Sequence, residues 1–185
     1  MKIILGVTGS VATVLTSKLV RALIEAGHEV RVVATKSSLY FLKQTPLPET
    51  ESKLLYLDED EWLEQGYQKG DTVEHIEFRT WADVLLIAPL SANTLAKIAH
   101  GMCDNFLCCI ARDWTKEKPL ALAPAMNTEM WIDPITEQQL SCLRQRFKQI
   151  IVVDPIEKTL ACKDMGVGAM AKIETIVSEI EKLSI

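Results

Sequence analysis

At 185 residues the chain can bury one sizeable core, and 48% hydrophobic with 24% charged residues is a normal soluble composition. A formal net charge of -5 argues against a broad nucleic-acid surface, which needs clustered Lys and Arg. No run approaches the roughly 20 apolar residues that span a bilayer, and the opening segment is too short for a signal-peptide core, so neither a membrane nor a nucleic-acid partner is expected. The five cysteines, Cys103, Cys108, Cys109, Cys142 and Cys162, are odd in number and lack a CxxC pair. They read as reduced thiols of a cytoplasmic protein. His28, His75 and His100 do not join them at ligand spacing, so no metal site is expected.

In chain order, residues 2 to 7 are an apolar run with the length of a buried strand. Residues 10 to 26 follow with Val11, Val14, Leu15, Leu19, Ala22 and Leu23 near helical period, and Gly27 ends the helix. A second strand is predicted over 29 to 35 and a short helix over 37 to 44. The acidic run Asp58, Glu59, Asp60, Glu61 lies in a stretch, 45 to 70, that reads as a solvated surface excursion. Residues 74 to 81 form a short amphipathic segment. Strands are predicted over 83 to 89, 119 to 123 and 149 to 153, with helices over 92 to 100 and 173 to 183. Residues 154 to 171 read as a long irregular link. Strand and helix alternating in this way imply an α/β protein whose parallel sheet is covered on both faces.

The polar residues gather where predicted strands end. Gly6 to Ser10 closes the first strand and opens a helix, a place where backbone amides bind anions and glycine lets a phosphate approach. The spacing is neither G-x-G-x-x-G nor a P-loop, and Ser10 could equally be an ordinary N-cap. Ser91, Asn93 and Thr94 repeat the pattern after the third clear strand, and Thr35, Lys36 and Ser37 follow the second. Several polar βα turns on one sheet edge point to a mononucleotide-type ligand. Asn127 follows the fourth strand, where its amide could hold a carboxylate or a flavin edge or simply cap a helix beside Met126, Met130 and Trp131. His75, taken alone, reads as packed or surface histidine. Cys162 sits in a Gly-rich loop, a better place for a reactive thiol than a core. His28 and His100 are read as structural.

Together, Gly9 to Ala12, Thr35 to Ser38, His75 to Glu77, Trp81 to Asp83, Pro89 to Thr94, Cys103 to Asn105, Pro124 to Trp131 and Ala161 to Met170 resemble, in order and spacing, the flavin-containing cysteine decarboxylase family. The resemblance covers nearly the whole chain. It implies a single flavoprotein domain over 1–185, a flavodoxin-like or Rossmann-like three-layer sandwich with a parallel central sheet, FMN as cofactor, and a homotrimer with active sites between subunits. It also implies FMN contacts from Gly9, Ser10, Val11, Thr35, Lys36, Ser37, Ser91, Ala92, Asn93 and Thr94. His75 becomes the catalytic base, Asn127 a ligand of the substrate carboxylate, and Ala161 with Cys162 a substrate clamp whose thiol is the last proton donor. Lys163 departs from the pattern, which has glycine there; a lysine is strained if that position needs positive φ, or could instead add charge near the substrate phosphate.

The implied reaction is decarboxylation of 4′-phospho-N-pantothenoylcysteine to 4′-phosphopantetheine in coenzyme A biosynthesis. A plain cysteine carboxylate has no electron sink. Oxidising its Cβ–SH unit gives a thioaldehyde β to the carboxylate, so that CO2 can leave as an enethiolate forms; the cofactor carries the difficult step and the protein orients it. Alternatives are a decarboxylase of peptidyl C-terminal cysteine, a flavin prenyltransferase, and a non-catalytic regulatory subunit of the same fold.

Overall fold

The computed structural model describes residues 1 to 183 apart from 51, 67 and 160 to 164. Strand β1 (Lys2–Val7) leads through a short 3-10 turn, Val11–Leu15, into α1 (Thr16–Glu25). The helix predicted from residue 10 therefore starts later, because Ser10 caps a tight turn and Thr13 and Thr16 are turned inward. Next come β2 (Glu29–Ala34), α2 (Leu39–Leu42), a two-residue β3 (Leu55–Tyr56), the single-turn α3 (Asp58–Glu61), α4 (Glu74–Trp81) and β4 (Val84–Leu90). Helices α5 (Ala92–Ala99) and α6 (Phe106–Asp113), strand β5 (Leu120–Pro124), and helices α7 (Thr128–Ile132) and α8 (Pro134–Arg146) follow. The chain then forms β6 (Ile150–Val152), β7 (Ile156–Thr159), β8 (Met165–Ala169) and α9 (Ile173–Glu181).

The six-stranded sheet has the order β3-β2-β1-β4-β5-β6, with every pairing parallel. This is the 3-2-1-4-5-6 order of the Rossmann fold, and without the small edge strand β3 it reads as the 2-1-3-4-5 order of flavodoxin. The expected three-layer α/β architecture is present. Alternation along each strand builds two cores. Ile3, Leu5, Val32, Val84 and Leu86 pack with Leu19, Leu23, Ile176 and Ile180 of α1 and α9. Ile4, Val33, Leu85, Ile87 and Leu122 pack on the other face with Phe78, Leu95, Phe106, Ile110 and Leu140 of α4, α5, α6 and α8.

Every residue of β4 is buried, which explains its uninterrupted apolar sequence. Leu86→Ala should remove about 2–5 kcal/mol of stability, read as a lower urea midpoint at unchanged slope; a loss below about 1 kcal/mol would mean the site collapses around the missing atoms.

Two expectations need correction. Residues 154 to 171 are not an irregular link: β7 and β8 form an antiparallel hairpin. Glycine depletes strand propensity, but here it permits contact. A Cβ on Gly168 would lie 2.2 Å from the Met126 carbonyl oxygen, and one on Gly166 would lie 2.1 Å from Thr128 Oγ1. The acidic run is not merely a solvated surface: Asp58 Oδ1 accepts from the Phe106 N–H at 2.9 Å, and the Glu61 side chain is only 6% exposed.

Candidate active site at the carboxyl edge of the sheet

In doubly wound sheets, ligands sit beyond the strand carboxyl ends where the connections diverge. Here that point lies between β1 and β4, and Thr8 ties the two turns together. Its Oγ1 donates to the Pro89 carbonyl at 2.7 Å and accepts from the Ser91 N–H at 2.8 Å. Its own carbonyl accepts from Thr13 Oγ1 at 2.7 Å. Thr8 is fully buried. Sequence reading passed over it because it looks like the last residue of a strand.

The β2 turn joins the same cluster. Thr35 Oγ1 donates to the Val7 carbonyl at 3.3 Å and lies 3.2 Å from Ser37 Oγ. Ser38 Oγ donates to the Thr35 carbonyl at 2.6 Å. A Cβ on Gly9 would fall 2.6 Å from Ser37 Oγ, so only glycine lets these two turns approach so closely. The structure thus brings Gly9, Ser10, Val11, Thr35, Lys36, Ser37, Ser91, Ala92, Asn93 and Thr94 to one edge. Lys36 and Ser37 are exposed there, and Val11 is 54% exposed.

Ser10 accepts from the Ala12 N–H at 3.3 Å, and Ser91 accepts from the Thr94 N–H at 3.3 Å. Both are therefore N-caps, which for Ser10 is the alternative the sequence offered. The first amides of α5, at Ala92 and Asn93, have no intrahelical acceptor. Such amides at a helix start favour an anionic ligand. A glycine-only close approach, exposed hydroxyls and two such starts suit a phosphorylated ring cofactor such as FMN.

Asn127 stands beside this cluster. The Ala125 N–H donates to the Leu90 carbonyl at 2.9 Å, linking the ends of β5 and β4. Asn127 is exposed and caps α7, its Oδ1 accepting from the Met130 N–H at 2.8 Å. Capping uses the amide oxygen, and among the described residues the amide nitrogen has no protein acceptor. Both readings of this residue can therefore hold at once. The hairpin closes on it from the other side, the Met126 N–H donating to the Gly168 carbonyl at 3.0 Å. Ala161, Cys162 and Lys163 lie outside the described residues.

His75 occupies the first turn of α4. Its Nδ1 lies 2.5 Å from Glu61 Oε1, and its backbone N–H donates to Glu61 Oε2 at 2.8 Å. Asp58 ties α3 to the start of α6, and Leu107 of α6 lies against Gly6 near the end of β1. This chain of contacts leads from His75 toward the carboxyl edge, but among the described residues no hydrogen bond joins His75 to Ser91 or Asn127. Cys109 also faces Glu61. Burial, with the nearby Cys103 and Glu61, pushes the Cys109 thiol up to about 12, and burial lifts Cys108 to about 11. Neither is a ready nucleophile. His28 sits beside the N-terminal amine, its Nδ1 3.4 Å away, and His100 Nδ1 lies 2.8 Å from the Ala96 carbonyl. Among the described residues no three His, Cys, Asp or Glu side chains form a metal-binding group, and no helix is long and apolar enough to cross a membrane.

Known proteins share this sequence and fold. The Flavoprotein family matches residues 1–184. A probable phosphopantothenoylcysteine decarboxylase of Arabidopsis thaliana is 51% identical over 180 residues, which cover 97% of this chain and 86% of that protein. A solved structure of a PPC decarboxylase mutant complexed with pantothenoylaminoethenethiol is similar at TM-score 0.90 and 50% identity, covering 97% of this chain and 96% of its own. The FMN binding protein AtHal3 is similar at TM-score 0.86 and 50% identity, covering 97% and 94% respectively. With a match over nearly its whole length and half its residues shared with such relatives, this chain belongs to the Flavoprotein family.

Proposed function

We propose that this protein is a phosphopantothenoylcysteine decarboxylase, which uses FMN to convert 4′-phospho-N-pantothenoylcysteine to 4′-phosphopantetheine in coenzyme A biosynthesis. The observation that carries the reading is the convergence of the β1, β2 and β4 turns on one edge, beside Asn127. The relatives' shared name supports the substrate, and so does the enethiol bound by the similar structure. An enethiol is what remains when a thioaldehyde β to a carboxylate loses CO2.

Gly9, Ser10, Val11, Thr35, Lys36, Ser37, Ser91, Ala92, Asn93 and Thr94 would hold FMN. When bound, FMN supplies a two-electron acceptor that also returns its electrons, leaving the net reaction redox neutral. His75 takes the proton released in the oxidation of the substrate thiol. Asn127 donates its amide hydrogens to the substrate carboxylate and fixes its orientation. Ala161 and Cys162 would belong to the substrate clamp, and the Cys162 thiol would supply the proton that completes the reduction.

The active unit is a homotrimer of single-domain chains, 1–185, in the cytoplasm, with each site completed by a neighbour. Exposed Val11, Ile76, Met130, Ile132 and Ile135, all 40% or more exposed, support apolar contacts between copies near the edge. The peptidyl-cysteine alternative shares the chemistry, so direct comparison of the two substrates separates the readings. Purified protein should be yellow, release CO2 from 4′-phospho-N-pantothenoylcysteine, and give 4′-phosphopantetheine by mass, in preference to a peptide ending in cysteine. A colourless protein without turnover overturns the reading.

A further inference from the structure

The run Asp58 to Glu61 holds four adjacent acidic side chains in one helical turn, an arrangement that repels itself and favours water. Three of the four are nevertheless engaged. Asp58 accepts from the Phe106 N–H at 2.9 Å, Asp60 Oδ2 accepts from the Leu57 N–H at 2.8 Å, and Asp60 Oδ1 meets Lys53. These contacts pin a turn too short to be stable alone. They deliver Glu61, 6% exposed, to His75, 26% exposed.

Both Glu61 oxygens are spent on His75, one on the ring and one on the backbone N–H. Among the described residues no Lys or Arg pairs with Glu61. Burying a carboxylate is expensive, and a buried pair is a weak device for stability alone. A carboxylate on Nδ1 does have a chemical consequence: it accepts the Nδ1 proton, so the neutral ring carries its lone pair on Nε2.

We propose that Glu61 is the positioning residue of the site: it locks His75 in the Nδ1–H tautomer and reserves Nε2 as the basic nitrogen that meets the substrate. The proposal rests on His75 being the base. Its central claim, the tautomer, is measurable apart from turnover.

The test uses flavin-bound protein labelled with 15N-histidine. Long-range proton–nitrogen correlation spectra should show a protonated Nδ1 and a bare Nε2 for His75. In Glu61→Gln the amide oxygen can serve the His75 backbone N–H while the amide NH2 donates to Nδ1. The proton should then move to Nε2, and kcat should fall by about 10²-fold or more with KM changed less than about threefold. Glu61→Asp keeps the charge and should recover the Nδ1–H form and part of kcat. The proposal is overturned if wild-type His75 carries its proton on Nε2. It is equally overturned if Glu61→Gln keeps the Nδ1–H tautomer, whatever its loss of stability, or keeps kcat within about twofold. Should the protein not act on the proposed substrate, the spectra still decide the tautomer, so failure of the functional reading and failure of this proposal remain distinct.

Discussion

In His75→Asn the protein should stay yellow while CO2 release falls by about 10²–10⁴-fold, the usual worth of a general base. Asparagine can still donate to Glu61 but offers no basic nitrogen. The proposed flavin-holding residues belong to the β1, β2 and β4 turns, and among the described residues none hydrogen bonds to His75. Flavin content, read as the ratio of visible to protein absorbance, should therefore match wild type. Turnover within about twofold of wild type would remove His75 from the chemistry.

Gly168→Val should be nearly as damaging by a different route. The added Cβ would meet the Met126 carbonyl oxygen at 2.2 Å and the Asn127 carbonyl carbon at 3.2 Å. Both are backbone atoms, so no side chain can swing away. The hairpin must retreat, breaking the bond from the Met126 N–H to the Gly168 carbonyl. A displacement of about 1 Å at a positioning element can cost about 10²-fold in rate, and the strain should cost about 1–3 kcal/mol. Flavin absorbance should be retained, because Gly168 belongs to the hairpin and not to the three turns. Steady-state kinetics with a urea titration checks both parts; normal kcat/KM would show that the hairpin does not position Asn127. Gly166 is more forgiving, since its would-be clash is with the side chain of Thr128.

The framework was legible because burial leaves a plain imprint. Strands β1 and β4 are almost wholly apolar because both of their faces are covered, and β2 is apolar from Val32 onward, after Glu29 and Arg31 at its more open start. Gly27, at φ 83°, ends the first helix as glycine should. The βα turns were legible because hydroxyl residues cluster where helices begin. The hairpin was hidden because glycine at 166 and 168 erases the alternation of a strand, a pattern explained only by contact with the Asn127 loop. Helices α6 and α8 received no prediction of their own, although Asn105 and Asp133 cap them.

The site was legible in pieces. His75 and Asn127 each had a plain structural reading, and Asn127 does cap a helix. What sequence could not supply was pairing over distance. Glu61 lies 14 positions before His75, with turns and loops between, and an acidic run ordinarily means a wet surface. Thr8 was missed for a related reason: a strand-terminal threonine reveals its use only when β4 lies beside it.

The sheet's borders carry one more consequence. Its edge strands β3 and β6 have two and three residues. Such stubs expose few unpaired amides and carbonyls, too few to template the addition of a strand from another chain. Copies of this protein can therefore associate through side-chain surfaces without their sheets ever fusing, and crowding should drive neither fibre growth nor strand exchange at these borders.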